Sequence, residues 1–257
     1  MLQDDCATVD LRTGISREPD ATDYITKKTA CAAAPNGTPH PLWTAFLDRI
    51  TAGSTELQRF LQRYCGYATT GITSEHKFVF AYGTGANGKS TFIDTIAAIF
   101  GDYATIADMG TFIATSTERH PTDLAKLRGA RLVVAQETQK GRRWDETKIK
   151  ALTGGDKITA RFMRQDFFDF DRTFKLFIVG NHKPRLHTID EAMRSAAVAG
   201  AIQRADPTDR ARSEFAAQAR ARAPGNPALV HQWMPRLAAR RPSAAGNRPR
   251  CDSGLLR

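Results

Sequence analysis

Apolar residues along this chain recur with two different periods, and the switches between them divide it into helices and strands. Leu42, Trp43, Phe46, Leu47 and Ile50 fall at helical spacing and predict one short amphipathic helix. Leu57, Phe60, Leu61, Tyr64 and Cys65 follow i, i+3, i+4, i+7, i+8 and predict a second, with Ser54 placed as its N-cap. Gly66 is expected to stop that helix. Residues 77–82 then form an apolar run of strand length, and residues 91–100 return to helical spacing. Residues 131–137 read as a strand ending in the carboxylate of Glu137, and 145–152 as a helix. Residues 157–162 and 168–174 alternate with a period of two and predict a hairpin. A last apolar strand, 174–179, is closed by Gly180-Asn181-His182-Lys183-Pro184. This alternation predicts an α/β nucleotide-binding core.

The ends of the chain lack such patterning. Residues 1–40 are turn-rich and read as an extended lead-in with little core of its own. Residues 41–70 form a helical subdomain and 71–194 the core. Lys is absent beyond Lys183, whereas Arg and Ala abound, so 195–257 read as a disordered or non-native tail.

Composition adds limits more than identity. No apolar run is long enough to cross a bilayer, and the N-terminus has no signal-like segment. The four Cys are scattered without a CxxC pair, which argues against zinc or a disulfide framework and places the chain in the cytoplasm by default. The formal charge of +10 suits a polyanionic partner, although much of the excess lies after residue 190.

One stretch carries definite chemistry. Gly83-Thr84-Gly85-Ala86-Asn87-Gly88-Lys89-Ser90, followed by Thr91, fits the phosphate-binding loop without a misfit and sits between a strand and a helix. In that geometry, successive N–H groups and a helix N-terminus converge on a phosphate. Lys89 would reach the outer phosphates and the Ser90 hydroxyl would bind Mg²⁺. Glu137, at a strand end, suits the metal's carboxylate or stands as an ordinary surface residue. Asn181 could bond a γ-phosphate or the attacking water, or belong to a simple turn. Lys157, Arg161 and Arg164 stand among Phe162, Phe167 and Phe168. They form either a nucleic-acid contact or the solvated face of a half-buried hairpin.

Together these blocks resemble the helicase half of phage and plasmid primase–helicases, superfamily 3 helicases akin to the poxvirus uncoating-factor NTPase. The resemblance runs from about residue 8 to residue 194. It rests on Val9-Asp10-Leu11-Arg12-Thr13-Gly14, the segments 60–67 and 85–91, Leu127-Arg128-Gly129-Ala130-Arg131 with the strand after it, the segment 150–156, and the segments 180–184 and 188–194. It implies an AAA+-like hexameric ring that moves along single-stranded DNA with ATP and Mg²⁺. Lys89, Ser90, Glu137 and Asn181 then match the loop, acidic and sensor positions, and the hairpin lines the pore with Arg164 near its tip. Arg194 matches the first member of a basic pair that acts across subunits as an arginine finger. That pair should continue Arg-Arg, but the chain reads Arg194-Ser195-Ala196-Ala197. The expectation is a chain truncated or frameshifted after about residue 194, more certain to bind ATP than to unwind DNA. A nucleotide- or DNA-binding remnant and a small-molecule P-loop kinase are the competing readings.

Overall fold

The computed structural model describes residues 1–4, 6–34, 37–83, 87–115, 121–136, 142–181 and the backbone of 197–201. The lead-in is more ordered than its composition suggests. Strands β1 (Leu2–Gln3), β2 (Thr8–Val9) and β3 (Ser16–Arg17) form an antiparallel sheet in that order. Asp4 Oδ1 accepts the N–H groups of Cys6 and Ala7, each at 2.7 Å, and so shapes the first turn. Leu2, Val9 and Cys31 are buried in the main core, so the segment shares a core instead of trailing from one.

Helix α1 (Pro41–Ile50) starts with proline in its first turn, where the missing N–H costs nothing. Helix α2 (Thr55–Thr69) is capped by Ser54, whose Oγ accepts the Leu57 N–H at 3.3 Å. Gly66 does not end α2, contrary to the sequence expectation. Tyr64, Cys65 and Ala68 continue its buried face across that position. Packing thereby outweighs the roughly 1 kcal/mol that glycine costs inside a helix. The helix stops one turn later, where the hydroxyls of Thr69 and Thr70 donate to the carbonyls of Gly66 and Tyr67.

The core then proceeds through β4 (Phe78–Tyr82), α3 (Lys89–Phe100), β5 (Ala104–Ala107), α4 (Thr122–Ala125), β6 (Leu132–Gln136) and α5 (Glu146–Thr153). Strands β7 (Ile158–Ala160) and β8 (Phe168–Phe170) make the expected antiparallel hairpin. Strand β9 (Lys175–Gly180) follows. The fifth sheet strand, β10 (Ala197–Ala201), comes from beyond residue 194, inside the segment read as tail. Residues 202–257 lie outside the described residues.

Strands β10-β4-β9-β6-β5 form one parallel sheet in that order. Side chains alternate across it. Val79, Ala81, Leu132, Val134, Phe177 and Val179 face one core, while Phe78, Phe80, Val133, Ala135, Leu176 and Ile178 face the other. Burial on both faces is why these strands read as unbroken apolar runs. On the first face, Trp43 stacks on Phe92 with ring centroids 5.8 Å apart, and Phe92 lies 6.3 Å from Phe177. The Tyr64 hydroxyl donates to the Leu176 carbonyl at 3.0 Å and ties α2 to β9. On the second face, Trp144 meets Phe80 edge-on at 5.0 Å. Among the described residues, no helix is long and apolar enough to cross a membrane.

The lead-in is zipped to the end of α3. Ala30 N–H donates to Ile99 O at 3.1 Å, and Asp102 N–H to Lys28 O at 3.0 Å. Gly101 sits between them at φ 54°, where a Cβ would lie 2.7 Å from the Ala30 nitrogen and 2.9 Å from the Lys28 carbonyl oxygen. Both obstacles are backbone. Gly101→Ala should therefore destabilise the fold by about 2 kcal/mol or more, read as a lower denaturant midpoint in equilibrium unfolding.

Candidate nucleotide site

Parallel strands deliver their C-terminal ends to one edge of the sheet, and the loop region described by Gly83, Asn87, Gly88 and Lys89 sits there between β4 and α3. Thr84, Gly85 and Ala86 lie outside the described residues, as do Glu137 and Arg194. Lys89 is buried at the first position of α3. Its Nζ donates to the Gly83 carbonyl at 2.7 Å and to Asn87 Oδ1 at 2.8 Å, both neutral oxygens. Asn87 is buried as well, so the ammonium bridges the two ends of the loop. Ser90 is exposed in the next position, and Thr91 follows.

Helix α3 begins without a side-chain cap. The first-turn N–H groups of any α-helix lack intrahelical acceptors, and here they face the loop side. This arrangement fits a triphosphate. The loop is held in shape from outside by α1. Gly88 has φ 87°, and a Cβ on it would come within 2.6 Å of Ile50 Cγ2 and 3.3 Å of Phe46 Cε2. Sequence periodicity identified Phe46 and Ile50 as a buried helix face but carried no sign that the face covers the loop.

Strand β9 lies between β4 and β6, with Gly180 level with Tyr82 and Val179 level with Gln136. Asn181 thus emerges, exposed, beside the strand that feeds the loop. At the end of β6, the Gln136 side-chain amide donates to Asp94 Oδ1 on α3 at 3.2 Å. That tie between the acidic-strand end and the loop helix had no sequence signal, since Asp94 belongs to no motif and the block that contains Gln136 names no partner for it.

The hairpin residues are arranged less uniformly than a basic face. Lys157 is exposed just before β7, and Arg164 is exposed at the far turn. Gln165 N–H donates to Phe162 O at 3.2 Å across that turn, with Arg164 held at φ 60°. Arg161 is half-buried, its guanidinium 4.7 Å above the Phe167 ring. Phe162 stacks on Phe168 at 5.6 Å, while Met163 and Phe167 remain 68% and 59% exposed. Large apolar side chains at an exposed tip beside a free-standing arginine make a surface of mixed charge and stacking capacity.

Gly88→Ala should lower both stability and nucleotide affinity, because the new methyl meets Ile50 and the backbone sits in the left-handed region. Ile50→Leu removes the Cγ2 methyl that collides. The double variant should recover part of the loss, as measured by thermal melts and fluorescent-nucleotide titration.

A family of unknown function, DUF5906, matches residues 81–195, which span the loop, the hairpin and Asn181. An Acanthamoeba polyphaga mimivirus protein named “Putative helicase L207/L206” is 27% identical over 148 residues, 57% of this chain. The chain spans 15% of that relative's length. Among solved structures, the apo NrS-1 C-terminal region superposes with a TM-score of 0.66 at 10% identity, over 90% of this chain and 54% of that one. A second apo form of the same region gives 0.64. The chain therefore has the mixed α/β fold of that region, consistent with a P-loop NTPase, and resembles a helicase-type protein in sequence.

Proposed function

We propose that the chain is the ATPase domain of a phage or plasmid replication primase–helicase of the superfamily 3 type. It would hydrolyse ATP with Mg²⁺ to move along single-stranded DNA in the cytoplasm, as one subunit of a hexamer. One observation supports this reading most. The strand that leads into Asn181 beside the phosphate loop is preceded directly by an exposed hairpin tipped with Arg164, Met163 and Phe167. Such a tip argues against a small-molecule kinase.

In this reading, the triphosphate draws Lys89 from Gly83 O and Asn87 Oδ1 to its outer phosphate oxygens, and the first-turn N–H groups of α3 surround the rest. Bound Mg²⁺ supplies charge neutralisation at the β- and γ-phosphates. Ser90 and Glu137 are the residues that would hold it. Asn181 orients the attacking water or the γ-phosphate, and Arg194 reaches a neighbouring subunit's nucleotide as the finger. The departure from the family pattern after Arg194 supports a second reading, a remnant that binds nucleotide or DNA without turnover. ATP hydrolysis stimulated by single-stranded DNA separates the two.

Two substitutions test the parts. Lys89→Ala should abolish tight ATP binding in a fluorescent-nucleotide titration, and unchanged affinity would remove the loop from the site. Arg164→Ala should weaken single-stranded DNA binding and flatten its dependence on log salt by about 0.7, the contribution of one phosphate contact. Identical slopes for parent and variant would return the hairpin to a purely structural role.

A further inference from the structure

The opposite edge of the sheet holds a basic pocket unrelated to the phosphate loop. It is lined by Tyr67 from α2, His76 and Lys77 before β4, Thr153 at the end of α5, Arg172 before β9, and Lys175 at the start of β9. It is small, with room for about one water-sized particle. Lys175 is 2% exposed, and its Nζ has no hydrogen-bond partner among the described residues. It lies over the Tyr67 ring, 4.2 Å from Nζ to the centroid.

Arg172 has the same deficiency. Its two terminal nitrogens donate to Leu152 O and Thr73 O, each at 3.0 Å, but its buried Nε has no partner among the described residues. The His76 ring pairs through Nδ1 with Thr153 O at 3.1 Å. No carboxylate lines the pocket. Two residues that line one small space therefore each carry a buried donor without a partner among the described residues. An unpaired buried donor costs on the order of 1–3 kcal/mol, so a ligand that only accepts is favoured.

We infer that this pocket is a binding site for one small monovalent anion of the chloride class, taken up together with a proton on Lys175. The uptake balances as an amine plus a proton plus an anion giving an ammonium–anion pair. Burial, with Arg131 and Arg172 nearby, lowers the Lys175 pKa to about 7, so the amine is largely neutral above neutrality unless an anion offsets that field. The other groups facing it are Tyr67, His76 and Lys77, none of which supplies a counter-charge at neutral pH. An occupied site would fasten α2, α5 and the root of the hairpin to β9. It does not rest on the nucleotide reading, because β9 separates the pocket from the loop edge by roughly 20 Å at about 3.3 Å per residue.

The sign of the linkage is fixed by the lowered pKa. Without anion, the unfolded chain holds more protons than the folded one between about pH 7 and about pH 10.5, so this group makes stability rise with pH there. The test uses the full chain carrying Lys89→Ala, which takes the principal side-chain cation out of the phosphate loop and so weakens anion binding there. Thermal melts are compared in sodium chloride and sodium gluconate at equal ionic strength, from about pH 6 to about pH 9. Chloride should raise Tm more than gluconate below neutrality, and its apparent affinity should fall about tenfold per pH unit above about 7. Lys175→Met, similar in shape and apolar, should erase the chloride increment. Equal effects of the two salts, a chloride effect independent of pH, or an increment that survives Lys175→Met would each overturn the assignment. The first two comparisons leave Lys175 intact and so hold whether or not the variant folds.

Discussion

Helix α1 lies on the phosphate loop so closely that the space beside Gly88 accommodates a hydrogen and nothing larger, with Ile50 Cγ2 and Phe46 Cε2 closing it. Much else depends on that contact. The loop cannot choose its path by its own residues alone, because glycine at φ 87° has wide freedom once uncovered. Helix α1 is in turn fixed by Trp43 on Phe92, and Phe92 meets Phe177 in the strand that leads into Asn181. A line of aromatic contacts thus joins the roof of the loop, the loop helix and the candidate sensor strand. Dispersion between well-packed rings holds these parts in mutual register, at about 0.5–1.5 kcal/mol per pair beyond area burial.

The sheet separates two kinds of work between its faces. The first core fixes the loop, through α1, α2, α3 and the lead-in. The second, around Trp144, Phe112 and Ile149, anchors the hairpin by Ile158, Ala160 and Phe170. The hairpin tip is left outside both cores, free to present Arg164 while its root is gripped by Arg172. Strand β9 belongs to both cores, since its alternate residues face opposite sides. It is the element through which the tip and the loop edge are mechanically connected.

The long buried strands were legible because burial on two faces leaves a continuous apolar run, as in Phe78–Tyr82 and Lys175–Gly180. The two-residue period of 157–162 and 168–174 likewise disclosed the hairpin, and the loop disclosed itself by its motif. The lead-in was misread because strands of two residues cannot display a period. Gly66 was misread because a glycine's local preference says nothing of the core beneath it. Strand β10 was hidden by an Ala- and Gly-rich composition that matches no strand pattern, although β4 gains a backbone partner from it. Lys175 stood in plain view within an apolar run, yet periodicity reports which face a residue takes and not which donors are left unsatisfied there. Glu137, Arg194 and three residues of the loop lie outside the described residues, so those readings rest on sequence alone.

Strand β9 also limits how this chain can change its length. Its side chains alternate between two cores from Lys175 to Gly180, with a buried amine at one end and Asn181 beyond the other. Inserting or deleting a single residue would exchange the faces of every position downstream and turn Phe177 toward the site now filled by Leu176 or Ile178. The same slip would rotate Asn181 away from the loop edge. The hairpin turn just upstream carries no such restriction, since its residues touch solvent on most sides. Length variation in relatives of this chain should therefore accumulate at residues 162–167 and be absent from 175–181.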